Sequence, residues 1–371
     1  MISYVTDGIG HRRAAEAVEE AVRQRLPDAE VHCVDLLSRC PALVRRGYPS
    51  AYRTLVRWLP SCWAIGYYGL DQPAVFGVAQ LGRRAWNLAV SQEFQRWVRD
   101  LRPDVTVATH FFPADVFDAG KQHGWLTGRL IVAITDLFPH RIWLAKRADA
   151  FVVGSELTRT WCQARGIRAD RIHPLGIPIA GVFGDLPDRL SAKQRLGLDA
   201  RRRAVLIASG GMGFGPIREL TRRLASTEQA RAGRLQLLVV CGGNEALAEV
   251  LRREAAGLPM PVHVYGFVTN IHEMMAASSL YVTKPGGLAI MEALAAGLPM
   301  VLTGAIPGQE RFNANEMISQ GAAVPGTTVR DVTAQVLSLL DDPATLEAMA
   351  SRARALGKPH AAAALVDHLI K

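Results

Sequence analysis

The feature that most constrains the fold is a repeated order of short apolar strand, glycine or polar turn, and helix. It begins at "ISYVTDGIGH", which leads into a helix predicted over about 12–26, and recurs at "DVTVATHFF", "RLIVAITD" and "ADAFVVGSE". The second half repeats it at "RAVLIASGGMGFGP", "LQLLVVCGGNEAL" and "SLYVTKPGGLAIMEAL". Apolar strands that alternate with helices are typical of parallel sheets covered on both faces. We therefore predict an α/β protein built from Rossmann-like, doubly wound domains.

The length of 371 residues predicts two such domains, since single domains usually hold about 100–200 residues. We expect the first domain over 1–180, the second over 181–342, and C-terminal helices over 343–371 that can cross back to the first. A long helical region is predicted at about 74–101. Open parallel sheets bind ligands at the carboxyl ends of their strands, so two domains facing across a cleft would both present their turns there.

Composition excludes several classes of protein. A hydrophobic content of 49% and a charged content of 21% describe a globular chain. No apolar run reaches the roughly 18–20 residues that a membrane-spanning helix needs, and no signal peptide is visible. The sequence contains no H-E-x-x-H and no D-x-D, so we expect no metal and no other cofactor. Five scattered cysteines without a C-x-x-C pair indicate reduced thiols in a cytosolic protein.

The net charge of +9 is concentrated in an aromatic segment. Between Leu36 and Leu70 there is no acidic residue, and the arginines and tryptophans are Arg39, Arg45, Arg46, Arg53, Arg57, Trp58 and Trp63. Arginine interleaved with Trp and Tyr suits an anionic membrane interface. The alternative is a surface loop with some aromatic side chains in the core. A nucleic-acid surface would require a reading motif, which is absent.

Two glycine turns of the second half are candidate phosphate sites. The first, "SGGMGFGP", contributes Gly210, Gly211, Met212, Gly213 and Gly215, and the second, "TKPGG", contributes Gly286 and Gly287. Glycines let a ligand approach the backbone, and a helix N-terminus attracts phosphate. Glu292 lies about one and a half turns into the second helix, where a carboxylate can accept hydrogen bonds from ribose hydroxyls. The alternatives are purely structural turns and a surface glutamate.

A polar loop follows in "GAIPGQERFNANEM". Its side chains Gln309, Glu310 and Asn313 are of the kinds that bind sugar hydroxyls. Alone they describe only a polar loop, but after the two glycine turns they suit a nucleotide-sugar pocket.

The order of these motifs resembles the monogalactosyldiacylglycerol synthase family, which includes the processive diacylglycerol glucosyltransferases. The resemblance rests on "DGIGHRRAAEAV", "THFFP", "TDLFPHRIW", "GIPI", "SGGMGFGP", "GFVTNIHEMMAASSLYVTKPGGLAIMEALAAGLP" and "GQERFNA". The resemblance runs from Thr6 to about Ala323. The family is in turn related to the bacterial transferase that adds N-acetylglucosamine to a lipid-linked peptidoglycan precursor. Asp7 departs from the pattern, because the family usually has Ser or Thr there, and the first strand is short.

The resemblance implies a metal-free, inverting GT-B glycosyltransferase that moves a hexose from a UDP-sugar to diacylglycerol or a related lipid. The donor would bind the second domain and the acceptor the first. Phe267 and Val268 would lie by the uracil, Glu292 by the ribose, the two glycine turns by the diphosphate, and Gln309 and Glu310 by the hexose.

An inverting transfer needs a base at the acceptor hydroxyl, and His11 suits this role. It opens a helix, whose dipole favours the neutral, proton-accepting imidazole. Asp136 is the second candidate, because it ends the strand "LIVAIT" at the same sheet edge. His110, His140 and Trp143 are expected near the acceptor or the membrane, and core positions are the alternative for each.

We expect a cytoplasmic enzyme held peripherally on the inner face of the plasma membrane, with Arg45, Arg46, Arg53, Arg57 and Trp58 at the lipid. Two alternatives stay open. One is a GT-B transferase or nucleotide-sugar epimerase with a soluble substrate, and the other is a non-catalytic nucleotide-binding regulator.

Overall fold

The computed structural model describes residues 1–6, 8–213 and 215–371, apart from the side chains of 52, 53, 56, 57 and 60. Asp7 and the side chains of Arg53 and Arg57 therefore lie outside the described residues. The chain divides into two compact units. Unit 1 comprises Met1–Gly181, Ile306–Phe312 and His360–Lys371, and unit 2 comprises Val182–Ala305 and Asn313–Pro359.

Unit 1 is built on a parallel sheet, whose described strands run in the order β2-β1-β3-β4-β5-β6. The strands are β1 Ile2–Tyr4, β2 Cys33–Asp35, β3 Val105–Ala108, β4 Arg129–Ala133, β5 Ala150–Val152 and β6 Ile172–His173. The helices are α1 Ile9–Arg25, α2 Ala42–Trp58, α3 Pro60–Leu70, α4 Pro73–Val90, α5 Gln92–Leu101, α6 Phe111–Gln122, α7 Glu156–Ala164 and, from the C-terminus, α17 Ala361–Leu369.

Helices cover both faces of this sheet. On one face, Val18 of α1 and Leu365 of α17 pack on Ile131 of β4. On the other, Phe117 of α6 and Phe94 of α5 form a second buried cluster with the strands. Burying strands on both faces explains their continuous apolar sequence. The predicted doubly wound arrangement is therefore confirmed for unit 1.

Unit 2 has a second parallel sheet, whose described strands run in the order β12-β11-β10-β7-β8-β9. The strands are β7 Arg203–Ala208, β8 Leu235–Val240, β9 Val262–Tyr265, β10 Leu280–Thr283, β11 Met300–Leu302 and β12 Ala323–Pro325. The helices are α8 Arg189–Arg195, α9 Ile217–Ala225, α10 Glu228–Arg231, α11 Glu245–Ala255, α12 Ile271–Ala277, α13 Gly287–Ala295, α14 Gln309–Ser319, α15 Val329–Asp341 and α16 Pro343–Leu356. The first residues of α14, through Phe312, belong to unit 1.

The helical region predicted at about 74–101 is occupied by α4 and α5, which are separated at Ser91. Two further helices, α2 and α3, precede this region and were not predicted from the sequence. Helix α2 contains Pro49, a residue that usually disrupts a helix interior. In the described part of the chain, no helix has both the length and the hydropathy to cross a membrane.

Buried charges fix α4 to α6. Asp118, 2% exposed, pairs with the Arg84 guanidinium and accepts a hydrogen bond from the Arg147 backbone N–H at 2.6 Å. One turn away, Asn87 Nδ2 donates to Asp115 Oδ2 at 2.8 Å. These pairs orient α4, so that its other face is left outside the unit 1 core.

Replacing Asp118 should destabilise unit 1, because the half-buried Arg84 charge would lose its buried partner. We expect Asp118→Asn to lower the free energy of unfolding by about 3 kcal/mol. All seven tryptophans belong to unit 1, so urea unfolding followed by their fluorescence reports this unit. Asp170→Asn is the matched control, since its pair with Arg168 is exposed to solvent and should contribute little to stability. Equal losses in the two variants would contradict the assignment.

Candidate active site

His11 lies in the first turn of α1 and is held by the ends of two neighbouring strands. Its Nδ1 is 2.9 Å from the carbonyl oxygen of Thr109, which follows β3, and 2.8 Å from Oγ1 of Thr135, which follows β4. Thr109 Oγ1 in turn donates to the His11 carbonyl oxygen at 2.8 Å. The imidazole is therefore fixed at the carboxyl edge of the sheet, where parallel α/β sheets bind ligands.

These contacts assign the tautomer of His11. A carbonyl oxygen only accepts hydrogen bonds, so Nδ1 carries the proton and shares it between Thr109 O and Thr135 Oγ1. In the neutral ring the accepting lone pair is then on Nε2. This is the form that a general base requires.

Aromatic rings surround the His11 imidazole. Its centroid is 4.6 Å from the His110 ring and 5.9 Å from the Trp143 ring. Both neighbours are buried, and His110 Nδ1 accepts a hydrogen bond from the Phe112 N–H at the start of α6. They form the wall of the His11 site, and their contact with an acceptor stays a prediction.

His140 connects α3 to the 3₁₀ turn Arg141–Trp143. Its Nδ1 accepts from the Ile142 N–H at 3.1 Å, so Nε2 carries the proton and donates to the Tyr67 carbonyl oxygen at 2.9 Å. Burial lowers the pKa of His140, which keeps it neutral. His140 is 3% exposed and holds this turn, and its contact with an acceptor or the membrane stays a prediction.

Asp136 directly follows Thr135 and is half-buried. Burial, and then the nearby charges of Asp136 and Asp71, raise the pKa of Tyr67 far above its ordinary value. Asp136 therefore lies near the Tyr67 phenol, at the same sheet edge as His11, and its role as a base stays a prediction.

Gln309 and Glu310 open α14 in the segment Ile306–Phe312, which belongs to unit 1. Glu310 is buried, and its Oε2 accepts from the Ile306 N–H at 2.8 Å. Gln309 Oε1 is buried and has no hydrogen-bond partner among the described residues. An unsatisfied buried acceptor is costly, which suits a group that binds a ligand donor.

In unit 2 the glycine turns after β7 and β8 pack backbone against backbone. The Gly243 N–H donates to the Gly211 carbonyl oxygen at 2.9 Å. Gly213 has a φ of 61°, and a Cβ there would lie 2.0 Å from the Cys241 carbonyl oxygen. A Cβ at Gly242 would lie 2.5 Å from the Gly211 carbonyl oxygen. Gly213 and Gly242 are thus required by the packing of the two turns, before any ligand binds.

The turn after β10 is different, because it is open. Gly286 is the N-cap of α13, and a Cβ there would meet no atom within 4 Å. As a glycine, Gly286 offers no side-chain cap to the amides of this helix N-terminus. Free helix N-terminal amides with space beside them are suited to a phosphate group. Glu292, the sixth residue of α13, is half-buried.

Lys284 lies between two glycine turns and was not singled out from the sequence. Its Cε is 4.0 Å from the position of a Cβ at Gly210, and its Cγ is 3.8 Å from that at Gly304. The signal was present in "TKPGG", where one proline separates the lysine from the two glycines. Of the two residues predicted to lie by the uracil, Phe267 is 55% exposed and Val268 is half-buried. Asn313 is buried, and its Nδ2 donates a hydrogen bond to the Pro285 carbonyl oxygen at 3.0 Å.

No cluster of three or more His, Cys, Asp or Glu side chains in the described ranges has the arrangement of a metal site.

Known families match both halves of the chain. Residues 11–179 match the monogalactosyldiacylglycerol (MGDG) synthase family, and residues 224–356 match the glycosyl transferases group 1. A processive diacylglycerol beta-glucosyltransferase of Bacillus thuringiensis is 28% identical over 372 residues, which cover 98% of this chain and 91% of the relative. These matches confirm the predicted resemblance.

Solved structures share the fold. MurG of Acinetobacter baumannii is 16% identical with a TM-score of 0.64, covering 99% of this chain and 97% of that one. The UDP-GlcNAc 2-epimerase of Neisseria meningitidis is 12% identical with a TM-score of 0.62, covering 100% and 98%. The predicted GT-B fold class, with two Rossmann-like domains, is thereby confirmed.

The two glycine turns should respond differently to an added methyl group. We expect Gly213→Ala to lower the free energy of unfolding by roughly 2 kcal/mol or more, because its positive φ and the Cys241 carbonyl oxygen both oppose a Cβ. Gly286→Ala should fold as the wild type does, since its φ of −70° and its surroundings accept one. Calorimetric unfolding of both variants checks this, and equal stability of Gly213→Ala and wild type would contradict it.

Proposed function

We propose that this chain, a GT-B glycosyltransferase of the MGDG synthase type, transfers glucose or galactose from a UDP-sugar to diacylglycerol or a related lipid, with inversion. The observation that carries the proposal is the fixed His11 imidazole, whose Nδ1–H is held by the Thr109 carbonyl oxygen. It leaves the basic nitrogen Nε2 at the carboxyl edge of a parallel sheet. A non-catalytic nucleotide-binding protein has no need of such an arrangement.

In the proposed reaction His11 Nε2 takes the proton of the acceptor hydroxyl as its oxygen attacks the anomeric carbon. The new glycosidic bond forms on the face opposite the bond to the diphosphate, which breaks and releases UDP. A single displacement of this kind inverts the configuration. The Nδ1 hydrogen bond to Thr109 orients the ring and stabilises the imidazolium that forms.

Unit 2 supplies the UDP-binding groups in this proposal, whereas the two residues proposed to bind the hexose belong to unit 1. The open N-terminus of α13 at Gly286 and Gly287, together with Lys284, would neutralise the diphosphate as UDP leaves. Glu292 would accept hydrogen bonds from the ribose, and Phe267 and Val268 would contact the uracil. Gly210, Gly211, Met212 and Gly215 would line the diphosphate, while Gln309 and Glu310 would bind the hexose.

The acceptor lipid would be met at a surface formed by α2, α3 and α4. Exposed apolar side chains are concentrated there, and we call this set the lipid-facing surface: Leu43, Trp58, Leu59, Ile65, Tyr68, Val75, Val78, Leu81 and Trp86. Exposed apolar groups in such number mark an interaction site. Arg45 and Arg46 on α2 are exposed. The one acidic residue between 41 and 92, Asp71, is paired with Arg165 at 2.7 Å.

This pattern of apolar and cationic groups supports an anionic bilayer as the occupant, and not a soluble protein partner. Amphipathic rings gain at the lipid interface, and each arginine near an anionic leaflet contributes about 1 kcal/mol. We therefore propose that the chain works peripherally on the inner face of the plasma membrane, where anionic lipids lie. Arg53 and Arg57 are part of the same basic sequence.

Product analysis tests the function. We expect the protein to form a glycolipid from UDP-glucose or UDP-galactose and diacylglycerol vesicles, detected by thin-layer chromatography and mass spectrometry. His11→Ala should lower this activity by about 10²–10⁴-fold while UDP binding is retained. Glu292→Ala is the counterpart and should weaken UDP binding instead.

Two results would contradict the proposal. Full activity of His11→Ala would exclude His11 as the general base, and Asp136→Asn would then be the next variant to measure. Epimerised UDP-sugar, or transfer to soluble acceptors alone, would replace the lipid acceptor with the soluble alternative.

The membrane surface is tested by vesicle binding. We expect Arg45→Gln with Arg46→Gln to weaken binding to phosphatidylglycerol vesicles by roughly ten- to thirty-fold, since two cations are lost. Val78→Ser with Leu81→Ser should weaken binding to neutral vesicles as well. Arg189→Gln with Arg201→Gln, two exposed arginines of unit 2, is the control of equal charge. Equal affinities of the Arg45/Arg46 variant and the control variant for phosphatidylglycerol vesicles would contradict the electrostatic role of Arg45 and Arg46.

A further inference from the structure

Helix α3 has two faces with different surroundings. Its outer face contributes Ile65, which is 75% exposed, and Tyr68 to the lipid-facing surface. Its inner face carries Trp63 and Tyr67, one helical turn apart. The outer face lies where lipid would be bound, and the inner face contacts a distant segment of the chain.

That segment is the turn Pro307–Gly308, which directly precedes Gln309. Trp63 Nε1 donates a hydrogen bond to the Pro307 carbonyl oxygen at 3.0 Å. Gly308 lies against the Tyr67 ring so closely that a Cβ would be 2.8 Å from Tyr67 Cδ1, and its φ is 101°. The turn can take this path only because residue 308 is glycine.

The far end of the same segment is also fixed. Phe312 stacks on Phe138, with centroids 3.9 Å apart and rings 8° from parallel. Tyr68, which is 38% exposed at the border of the two faces of α3, also contacts Phe312, with ring centroids 6.2 Å apart. The segment Ile306–Phe312 is therefore held at both ends, and α3 takes part in both contacts.

The position of Gln309 follows from these contacts. It is the next residue after Gly308, and its buried Oε1 has no hydrogen-bond partner among the described residues. Glu310 is tied back to the Ile306 N–H, so it moves with the turn. A shift of α3 would displace both side chains that are proposed to bind the hexose.

Helix α3 reaches the His11 site as well. The Tyr67 carbonyl oxygen accepts from His140 Nε2, and the Tyr67 ring lies 4.5 Å from the His140 ring. His140 caps the turn that carries Trp143 beside His11. Helix α3 thus supports both the turn Pro307–Gly308 and the aromatic wall of the His11 site.

We infer that Trp63 and Tyr67 are positioning residues, through which lipid bound to α3 sets the hexose-recognising turn Pro307–Gly308. The inference rests on the proposed function. Helix α3 has 11 residues, and isolated helices shorter than roughly 12–15 residues are only marginally stable in water. Burial of its outer face in lipid favours the helical form, and with it the turn.

The kinetic test compares Trp63→Phe with Trp97→Phe. The first keeps a ring on α3 but removes the donor to Pro307, and the second makes the same change at a half-buried tryptophan that packs on Phe94. We expect Trp63→Phe to raise KM for the UDP-hexose by roughly five- to ten-fold in the presence of vesicles. Inhibition by UDP, which lacks the hexose, should be unchanged. Trp97→Phe should match wild type, and a parallel loss of UDP and UDP-hexose affinity in Trp63→Phe would overturn the inference.

Hydrogen exchange tests the coupling without any enzymatic readout. Vesicles of phosphatidylglycerol, added without donor, should protect amides in 60–70 and in 306–312 together. In Trp63→Phe, protection of 60–70 should persist while that of 306–312 is lost. Protection of 60–70 alone in the wild type would contradict the coupling. Joint protection without glycolipid synthesis would support the coupling and reject the proposed reaction.

Discussion

The hydrogen bond between His11 Nδ1 and the Thr109 carbonyl oxygen is the contact from which the proposed chemistry follows. It is 2.9 Å long and joins the first turn of α1 to the end of β3, while Thr135 adds the end of β4. A carbonyl oxygen cannot donate, so this geometry alone decides which nitrogen of the ring is basic. The tautomer is thus a consequence of the sheet topology, because β3 lies between β1 and β4.

The sequence predicts much of this fold because its strands are buried on both faces. Their apolar runs and the turns after them locate β3, β4, β7 and β10, and with them His11 and Gly286 at the carboxyl edges. The helices α2 and α3 escape prediction, since their glycines, Pro49 and many aromatic residues obscure the helical period. In α3 apolar residues lie on all sides of the helix, so the local pattern does not separate an inner face from an outer one.

Parts of the site also lie beyond sequence reasoning. The glycines of "SGGMGFGP" suggest a phosphate cradle, but Gly213 is required by the neighbouring Cys241 carbonyl oxygen. Contact between Trp63 and Pro307 joins residues 244 positions apart, which no spacing rule anticipates. His110 and His140 were candidates for the acceptor site. The structure shows that both are buried and cap a helical turn through Nδ1, which the sequence did not indicate, and their contact with an acceptor stays a prediction.

Helix α3 connects the lipid-facing surface to the turn Pro307–Gly308. Helix α3 carries exposed apolar side chains on its outer face, and its inner face contacts Pro307 and Gly308 through Trp63 and Tyr67. An enzyme that must meet an insoluble acceptor gains from such an arrangement, because recognition of the donor sugar is favoured where the acceptor is present.

A single displacement assisted by His11 Nε2 inverts the anomeric carbon, so the configuration of the product is the decisive measurement. The glycolipid made from UDP-glucose, whose anomeric carbon is α-configured, should be examined by proton NMR. We expect a β-linked hexose in all of the product. An α-linked product would contradict it, since retention requires a different arrangement of catalytic groups.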